Sequence, residues 1–124
     1  INDSYNANLE STINGIESLI NNFIDNRKIV IIGDMLELGS YEIDHHKKLG
    51  EFLFKKNIDA VFSYGKLTRF TGDVLKKSKI FNKHYFNKNS LILELNKFLL
   101  KGDAIYLKGS RSMKMEEIIE GLRL

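Results

Sequence analysis

The chain contains no cysteine, which excludes disulfides and thiolate metal sites. No apolar run is long enough to cross a bilayer as a helix, so no membrane partner is expected. No block of five or more like charges occurs, and no aromatic-basic ribonucleoprotein motif. The lysines are spread along the chain, so nucleic acid is not an expected partner either. Three nucleotide or nucleophile signatures are missing as well. There is no Gly-rich loop ending in Gly-Lys-Ser/Thr, no Gly-x-Gly-x-x-Gly after a strand, and no Gly-x-Ser-x-Gly elbow. Proline is absent too, for no physical reason visible in the sequence. No secretion signal is visible. The chain opens on Ile1 and a polar segment, which suggests a piece of a longer, cytoplasmic protein.

What is present is ordinary for a globular domain. The 124 residues are 43% hydrophobic and 28% charged, with a net charge of +3. That length suits one domain around one core. Asn8 is a good cap for a helix over about 9–24, in which Leu9, Ile13, Ile16, Ile20, Phe23 and Ile24 recur at spacings of three and four. Lys28 to Ile32 is a β-branched run, the mark of a strand covered on both faces in a parallel sheet. Further strands are expected at 58–63, 79–86 and 104–107. Helices are expected at about 41–56 and 67–77, then around Leu91, Leu95, Phe98 and Leu99, and finally after residue 113. In the third helix Leu67, Phe70, Val74 and Leu75 are the residues expected to face inward.

One helix followed by four strand–helix pairs implies an α/β fold. The expected architecture is a three-layer, Rossmann-like domain with a mainly parallel sheet flanked by helices. Ligands of such sheets bind beyond the carboxyl ends of the strands. The loops Gly33–Ser40, Tyr64–Lys66 and Lys108–Met113 leave those ends. They put Asp34, Glu37, Lys66, Lys108 and Arg111 on one edge.

Lys108-Gly109-Ser110-Arg111-Ser112-Met113 is the most suggestive stretch. Two cations, two hydroxyls and the N–H groups opening a helix would suit a carboxylate or phosphate. The plainer alternative is that Gly109 makes a turn, Ser112 caps the helix and the cations are solvated. His45 and His46 are adjacent and so point about 100° apart on a helix. A solvated helix face is favoured there over a metal site, which would want histidines four apart. Asp34 and Lys108 after two strands also fit a phospho-receiver, but the strand at 58–63 runs into Tyr64-Gly65-Lys66 where a phosphoacceptor aspartate would stand. Asp3, Ser4, Tyr5, Asn6 and Asn8 form a polar cluster longer than a helix cap requires.

Taken together, several stretches resemble the C-terminal domain of the Mur ligases, in order and over essentially the whole chain. They are Asn2-Asp3-Ser4-Tyr5-Asn6-Ala7-Asn8, Gly33-Asp34-Met35-Leu36-Glu37-Leu38-Gly39, His46 with Gly50, and Lys108-Gly109-Ser110-Arg111-Ser112-Met113 with Met115-Glu116-Glu117. The family usually has proline after the residue matching Asn8, where this chain has Leu9. The resemblance implies that residues 1–124 are one Mur ligase C-terminal domain, lacking the N-terminal and central ATPase domains. It implies an ATP- and Mg2+-dependent ligase in peptidoglycan precursor synthesis, with D-alanyl-D-alanine as incoming amine and UDP-N-acetylmuramoyl-tripeptide as acceptor. The central ATPase domain would be this domain's partner, and no cofactor would be bound by this domain alone. By position, Asp3 would meet the ATP ribose, with Ser4, Tyr5, Asn6 and Asn8 lining the same cleft. Asp34, Leu36 and Glu37 would face the amino substrate, and Lys108, Ser110 and Arg111 its carboxylate. No catalytic residue and no metal ligand is assigned in the fragment. His46 and Gly50 match the family pattern without a role that the resemblance fixes. A non-catalytic nucleotide- or small-anion-binding α/β module, or the same domain of another Mur-type ligase, are the alternatives.

Overall fold

The computed structural model describes residues 8–123. Asp3, Ser4, Tyr5 and Asn6 therefore lie outside the described residues. The elements run α1 (Leu9–Asn22), β1 (Lys28–Gly33), α2 (Glu42–Phe54), β2 (Ala60–Tyr64), α3 (Thr68–Leu75), β3 (Phe81–Tyr85), α4 (Lys88–Phe98), β4 (Ala104–Lys108) and α5 (Glu116–Gly121). Short 3-10 turns at Gly39–Tyr41 and Arg111–Met113 follow β1 and β4. The strands form one sheet in the order β3-β2-β1-β4, with every pairing parallel.

The β-branched run of β1 behaves as its composition demands. All six residues of the strand are buried, because helices cover both faces. Val30 and Ile32 pack with Ile16 and Leu19 of α1 and Leu49 and Leu53 of α2. Ile29 and Ile31 pack with Leu91 and Leu95 of α4 and Ile118 of α5. Thus α1, α2 and α3 cover one face, and α4 and α5 the other.

Three helices differ from their sequence expectations. First, α1 begins where expected, with the Asn8 side chain accepting the Ser11 N–H at 2.8 Å. It ends at Asn22, however, and Ile24 is 73% exposed. The Lys28 ammonium donates to the Ile24 and Asn26 carbonyls at 3.2 and 3.0 Å. A cation on carbonyls just past a helix C-terminus favours that stop. Of the expected stripe, Ile16 is fully buried and Leu9, Ile13 and Ile20 pack half-buried against the core, while Thr12 and Leu19 complete the buried side; Gly15 makes room for the Tyr106 ring of β4, with which a Cβ there would collide.

Second, α3 buries Thr68, Thr71 and Leu75, while Phe70 and Val74 are only half-buried. Its neighbour explains why. A Cβ on Gly50 of α2 would lie 2.8 Å from the Val74 Cβ and 2.9 Å from the Thr71 carbonyl oxygen. The two helices are so close that small side chains belong between them. Third, the last helix lies after residue 113 as expected, but Ser112 does not cap it. The 3-10 turn Arg111–Met113 and a left-handed Lys114 (φ 50°) intervene before Glu116.

Candidate functional site

The strand order creates a crevice. From β1 the chain steps to β2 and then β3 through α2 and α3 on one face. Then α4 returns along the other face, and β4 pairs on the far side of β1. The direction of travel reverses between β1 and β4, so the loops after those two strands diverge around the switch point, the place where open α/β sheets bind ligands.

Those two loops are joined. The Ser110 N–H donates to the Asp34 carbonyl at 2.9 Å, and the Leu36 N–H donates to the Ser110 hydroxyl at 2.6 Å. Glycine allows the close approach. A Cβ on Gly109 would lie 3.1 Å from the Gly33 Cα and 2.7 Å from the Met115 Cγ, and one on Gly33 would lie 2.6 Å from the Met115 sulfur. Met115 is fully buried and seals the floor beneath the two backbones.

Asp34 has an immediate task that its sequence position did not reveal. It is 4% exposed. One carboxylate oxygen accepts the Leu67 and Thr68 N–H groups at 3.0 and 2.9 Å, and the other accepts the Lys66 N–H at 3.0 Å. No side chain of its own segment caps α3. A carboxylate from another loop supplies the cap, where the helix end favours negative charge. Gly65, at φ 125°, leaves the space, since a Cβ there would strike the carboxylate. Asp34 thereby fixes the β2–α3 loop, with Lys66 exposed on it, against the other two loops.

His46 corrects a second expectation. It is fully buried and does not lie on a solvated face. Its Nε2 lies 3.0 Å from the Met35 nitrogen and its Nδ1 2.5 Å from the Glu42 carbonyl oxygen. A backbone N–H can only donate, so Nε2 must accept and the proton resides on Nδ1. Burial lowers the imidazole pKa, partly offset by the Glu42 carbonyl and the Asp34 charge. The neighbouring His45 is half-buried against the exposed ring of Tyr41, with centroids 5.9 Å apart.

The remaining candidates divide by exposure. Glu37 is exposed with φ 63°, an uncommon backbone for a side chain other than glycine, Asn or Asp. Arg111 is exposed and Ser110 and Leu36 are half-buried. Lys108 is 1% exposed, which corrects the picture of two solvated cations. As the last residue of β4 it follows the alternation of Ala104 and Tyr106, on the α1 side of the sheet beside Ile32. Ser112 is exposed and caps nothing, and α5 is only six residues long, so no helix opening adds to an anion site here. Among the described residues no group of three His, Asp or Glu side chains could hold a metal, and no helix is long and apolar enough to cross a membrane. Asn8 is exposed at the start of α1, its side-chain oxygen occupied by the Ser11 N–H.

Residues 1–111 match the family described as Mur ligase, glutamate ligase domain. Among curated proteins, the UDP-N-acetylmuramoyl-tripeptide–D-alanyl-D-alanine ligase of Buchnera aphidicola is 40% identical over 124 residues, covering 98% of this chain and 26% of that protein. The enzyme of the same name from Bacillus subtilis is 39% identical over 127 residues, covering 98% of this chain and 27% of that protein. The chain thus spans about a quarter of the length of the curated relatives it matches. Among solved structures, a MurF ligase from Thermotoga maritima in complex with ADP superposes with a TM-score of 0.76 at 29% identity, covering 96% of this chain and 26% of that one. MurF from Acinetobacter baumannii has the same fold, with a TM-score of 0.83 at 23% identity over 97% of this chain and 27% of that one.

Proposed function

The chain belongs to the Mur ligase family, and on that premise we propose that it is the C-terminal, substrate-delivering domain of an ATP-dependent ligase. That ligase joins D-alanyl-D-alanine to UDP-N-acetylmuramoyl-tripeptide in making peptidoglycan precursor, in the cytoplasm. The relatives at 40% and 39% identity carry that activity in their names. The observation that carries the reading is the joined pair of loops at the switch point. The Leu36–Ser110 and Ser110–Asp34 bonds make one platform, and the exposed residues Glu37 and Arg111 follow its joined residues in sequence.

Amide formation of this kind needs an activated carboxylate, an amine aimed at it, and little water. ATP, with Mg2+, supplies the activation by phosphorylating the tripeptide carboxylate; both belong to the whole ligase, and this domain alone binds no cofactor in this reading. The work left to this domain is orientation and charge matching, which can account for a large part of such a barrier. Arg111 pairs with the carboxylate of the dipeptide, where a guanidinium can bind two oxygens at once. Lys108, buried beneath, adds positive charge, and Ser110 fixes the height of the loop. Glu37 and Leu36 face the amino end of the dipeptide, with Asp34 holding all three loops to one level. Asp3 to Asn6, with Asn8, face the nucleotide held by the central domain.

The test uses the full-length ligase. It should release phosphate and form the amide only when ATP, UDP-N-acetylmuramoyl-tripeptide and D-alanyl-D-alanine are all present, and residues 1–124 alone should turn over none of them. Arg111→Ala should raise KM for D-alanyl-D-alanine at least tenfold while leaving KM for ATP within twofold. A full-length enzyme that ignores D-alanyl-D-alanine, or an Arg111→Ala variant with an unchanged KM for it, would refute the assignment.

A further inference from the structure

Between the two joined loops and the rest of the domain stands one buried titratable side chain to which the reaction assigns no work. His46 lies on α2 and touches the loop after β1 at the residue just before Leu36. Its Nε2 accepts the Met35 N–H at 3.0 Å, and its Nδ1–H donates to the Glu42 carbonyl at 2.5 Å. Its own carbonyl accepts the Thr71 hydroxyl of α3 at 2.7 Å. The Met35 side chain is fully buried, with its sulfur 4.0 Å from the Thr12 hydroxyl of α1. The imidazole therefore ties the loop's backbone to α2, which is itself tied to α3. Glu37, two residues further on, has a positive φ, and a backbone of that kind persists only where its surroundings hold it.

We propose that His46 is a positioning residue for the amino-substrate loop: its neutral imidazole holds the Met35 N–H and so sets how Leu36 meets Ser110 and how Glu37 is presented. The proposal rests on the substrate reading given above for that loop. The neutral form is required by geometry. A proton on Nε2 would face the Met35 N–H, donor against donor, and the loop would have to move. The titratable groups that bear on the ring are Glu42 and His45 on its own helix and Asp34 on the loop. From α3 the contact is the Thr71 hydroxyl, and through Met35 the contact with α1 is the Thr12 hydroxyl; neither titrates. Burial outweighs the acidic neighbours and favours the uncharged ring.

The side chains of asparagine and glutamine separate the two bonds. Glutamine can place its oxygen where Nε2 stands and keep the Met35 bond, whereas asparagine reaches only to the Nδ1 position and loses it. In the full-length ligase, hydrogen exchange over residues 34–38 should quicken at least tenfold in His46→Asn and stay within threefold of wild type in His46→Gln, with β1 and β2 unchanged in both. Loss of one buried hydrogen bond is of a size to change a dissociation constant about tenfold. KM for D-alanyl-D-alanine should accordingly rise about tenfold in His46→Asn, with kcat and KM for ATP within twofold. Above about pH 6.5 the ratio of the wild-type KM for the dipeptide to that of His46→Gln should be constant, and it should climb as pH falls from about 6.5 toward about 5, because the buried ring takes up its proton only below the ordinary imidazole value. The substrate amine titrates alike in both, so the ratio isolates the imidazole. Unchanged exchange in His46→Asn, a Gln variant no better than the Asn variant, a common shift of all kinetic constants, or a pH-independent ratio would each overturn the proposal. If the wild type does not use D-alanyl-D-alanine at all, the substrate reading falls, and the exchange comparison still decides whether His46 holds the loop.

Discussion

The two ends of the sheet solve the same problem with different partners. At the amino end an ion pair stands among the side chain–backbone bonds. The Arg27 guanidinium grips Asp103 at 2.9 and 2.6 Å, donates to the Phe98 carbonyl at 2.7 Å and lies 4.4 Å over the Phe98 ring. Asp59 accepts the Lys28 N–H at 2.8 Å. Nearby, a cleft of about 430 Å³ is lined by Lys55, Lys56, Lys77 and Lys79. It opens just past α2 and α3, at their C-termini, so those lysines answer the negative ends of two helices. At the carboxyl end the buried side chains bind backbone. Asp34 holds three N–H groups, His46 a carbonyl and an N–H, and Ser110 an N–H. Glu37, Lys66 and Arg111 remain at the surface. The first arrangement closes an end of the molecule. The second makes a frame of side chain–backbone bonds with charged side chains at its surface.

The sharpest way to break this contrast is to remove the central carboxylate at each end. Asp34→Ala leaves three N–H groups and a helix start without their acceptor in a buried place. Combining a lost cap with unsatisfied donors, we expect a loss of about 3 kcal/mol. Asp103→Ala removes a carboxylate that is only 4% exposed, but the Arg27 left behind is 30% exposed and can be hydrated. Its loss should be about 1–2 kcal/mol. Urea unfolding of both variants measures the two costs, and equal values would mean that the carboxyl end is not the more tightly framed one. Ser110→Ala comes next in size. It removes one acceptor, that of the Leu36 N–H, and should cost about 1 kcal/mol in the same assay. Its hydrogen exchange should quicken in 34–38 and spare β1.

How far the sequence alone leads differs between these ends in the same way. The β-branched run of β1, the alternation of strands with helices and the shared edge of the three loops are local patterns, and local patterns survive folding. Asp34 was legible as a loop residue, but not as the cap of α3, because its partners are more than 30 residues away in sequence. The inward side of α3 was legible only in part: Leu75 is buried in the core and Val74 meets Gly50, whereas Phe70 is half-buried and Thr68 and Thr71 take buried places. Against the close backbone at Gly50, threonine fits better than Phe70. His46 reads as one of two polar residues on an amphipathic helix until Met35 and Glu42 are seen around it. That Ser112 caps no helix follows from the 3-10 turn and the left-handed Lys114 that separate it from Glu116, a conformation that no pattern of apolar spacing signals.

The smallest effect separates the two ends by pH. His46 and His84 both have pKa values lowered chiefly by burial, and His84 is tied through Nδ1 to the Ser63 hydroxyl at 2.7 Å. Both rings serve the carboxyl half of the sheet. At the amino end, burial alone would raise the Asp103 pKa, but the Arg27 hydrogen bonds and the Leu100 N–H hold it below its ordinary value. For the histidines, the unfolded chain takes up protons near pH 6.5 while the folded chain does not. Their contribution is therefore whole above about pH 6.5 and declines as pH falls toward the lowered folded values, by at most about 1.4 kcal/mol per pH unit for each ring. The Asp103 contribution is whole above the ordinary carboxylate range and is lost only as pH falls through its lowered value. Unfolding measured at pH 7, 6 and 5 should thus show a decline that His46→Gln reduces and Asp103→Asn leaves alone. If Asp103→Asn flattened that slope instead, the amino end would be the pH-sensitive one, and the division of labour between the two ends of the sheet would have to be reversed.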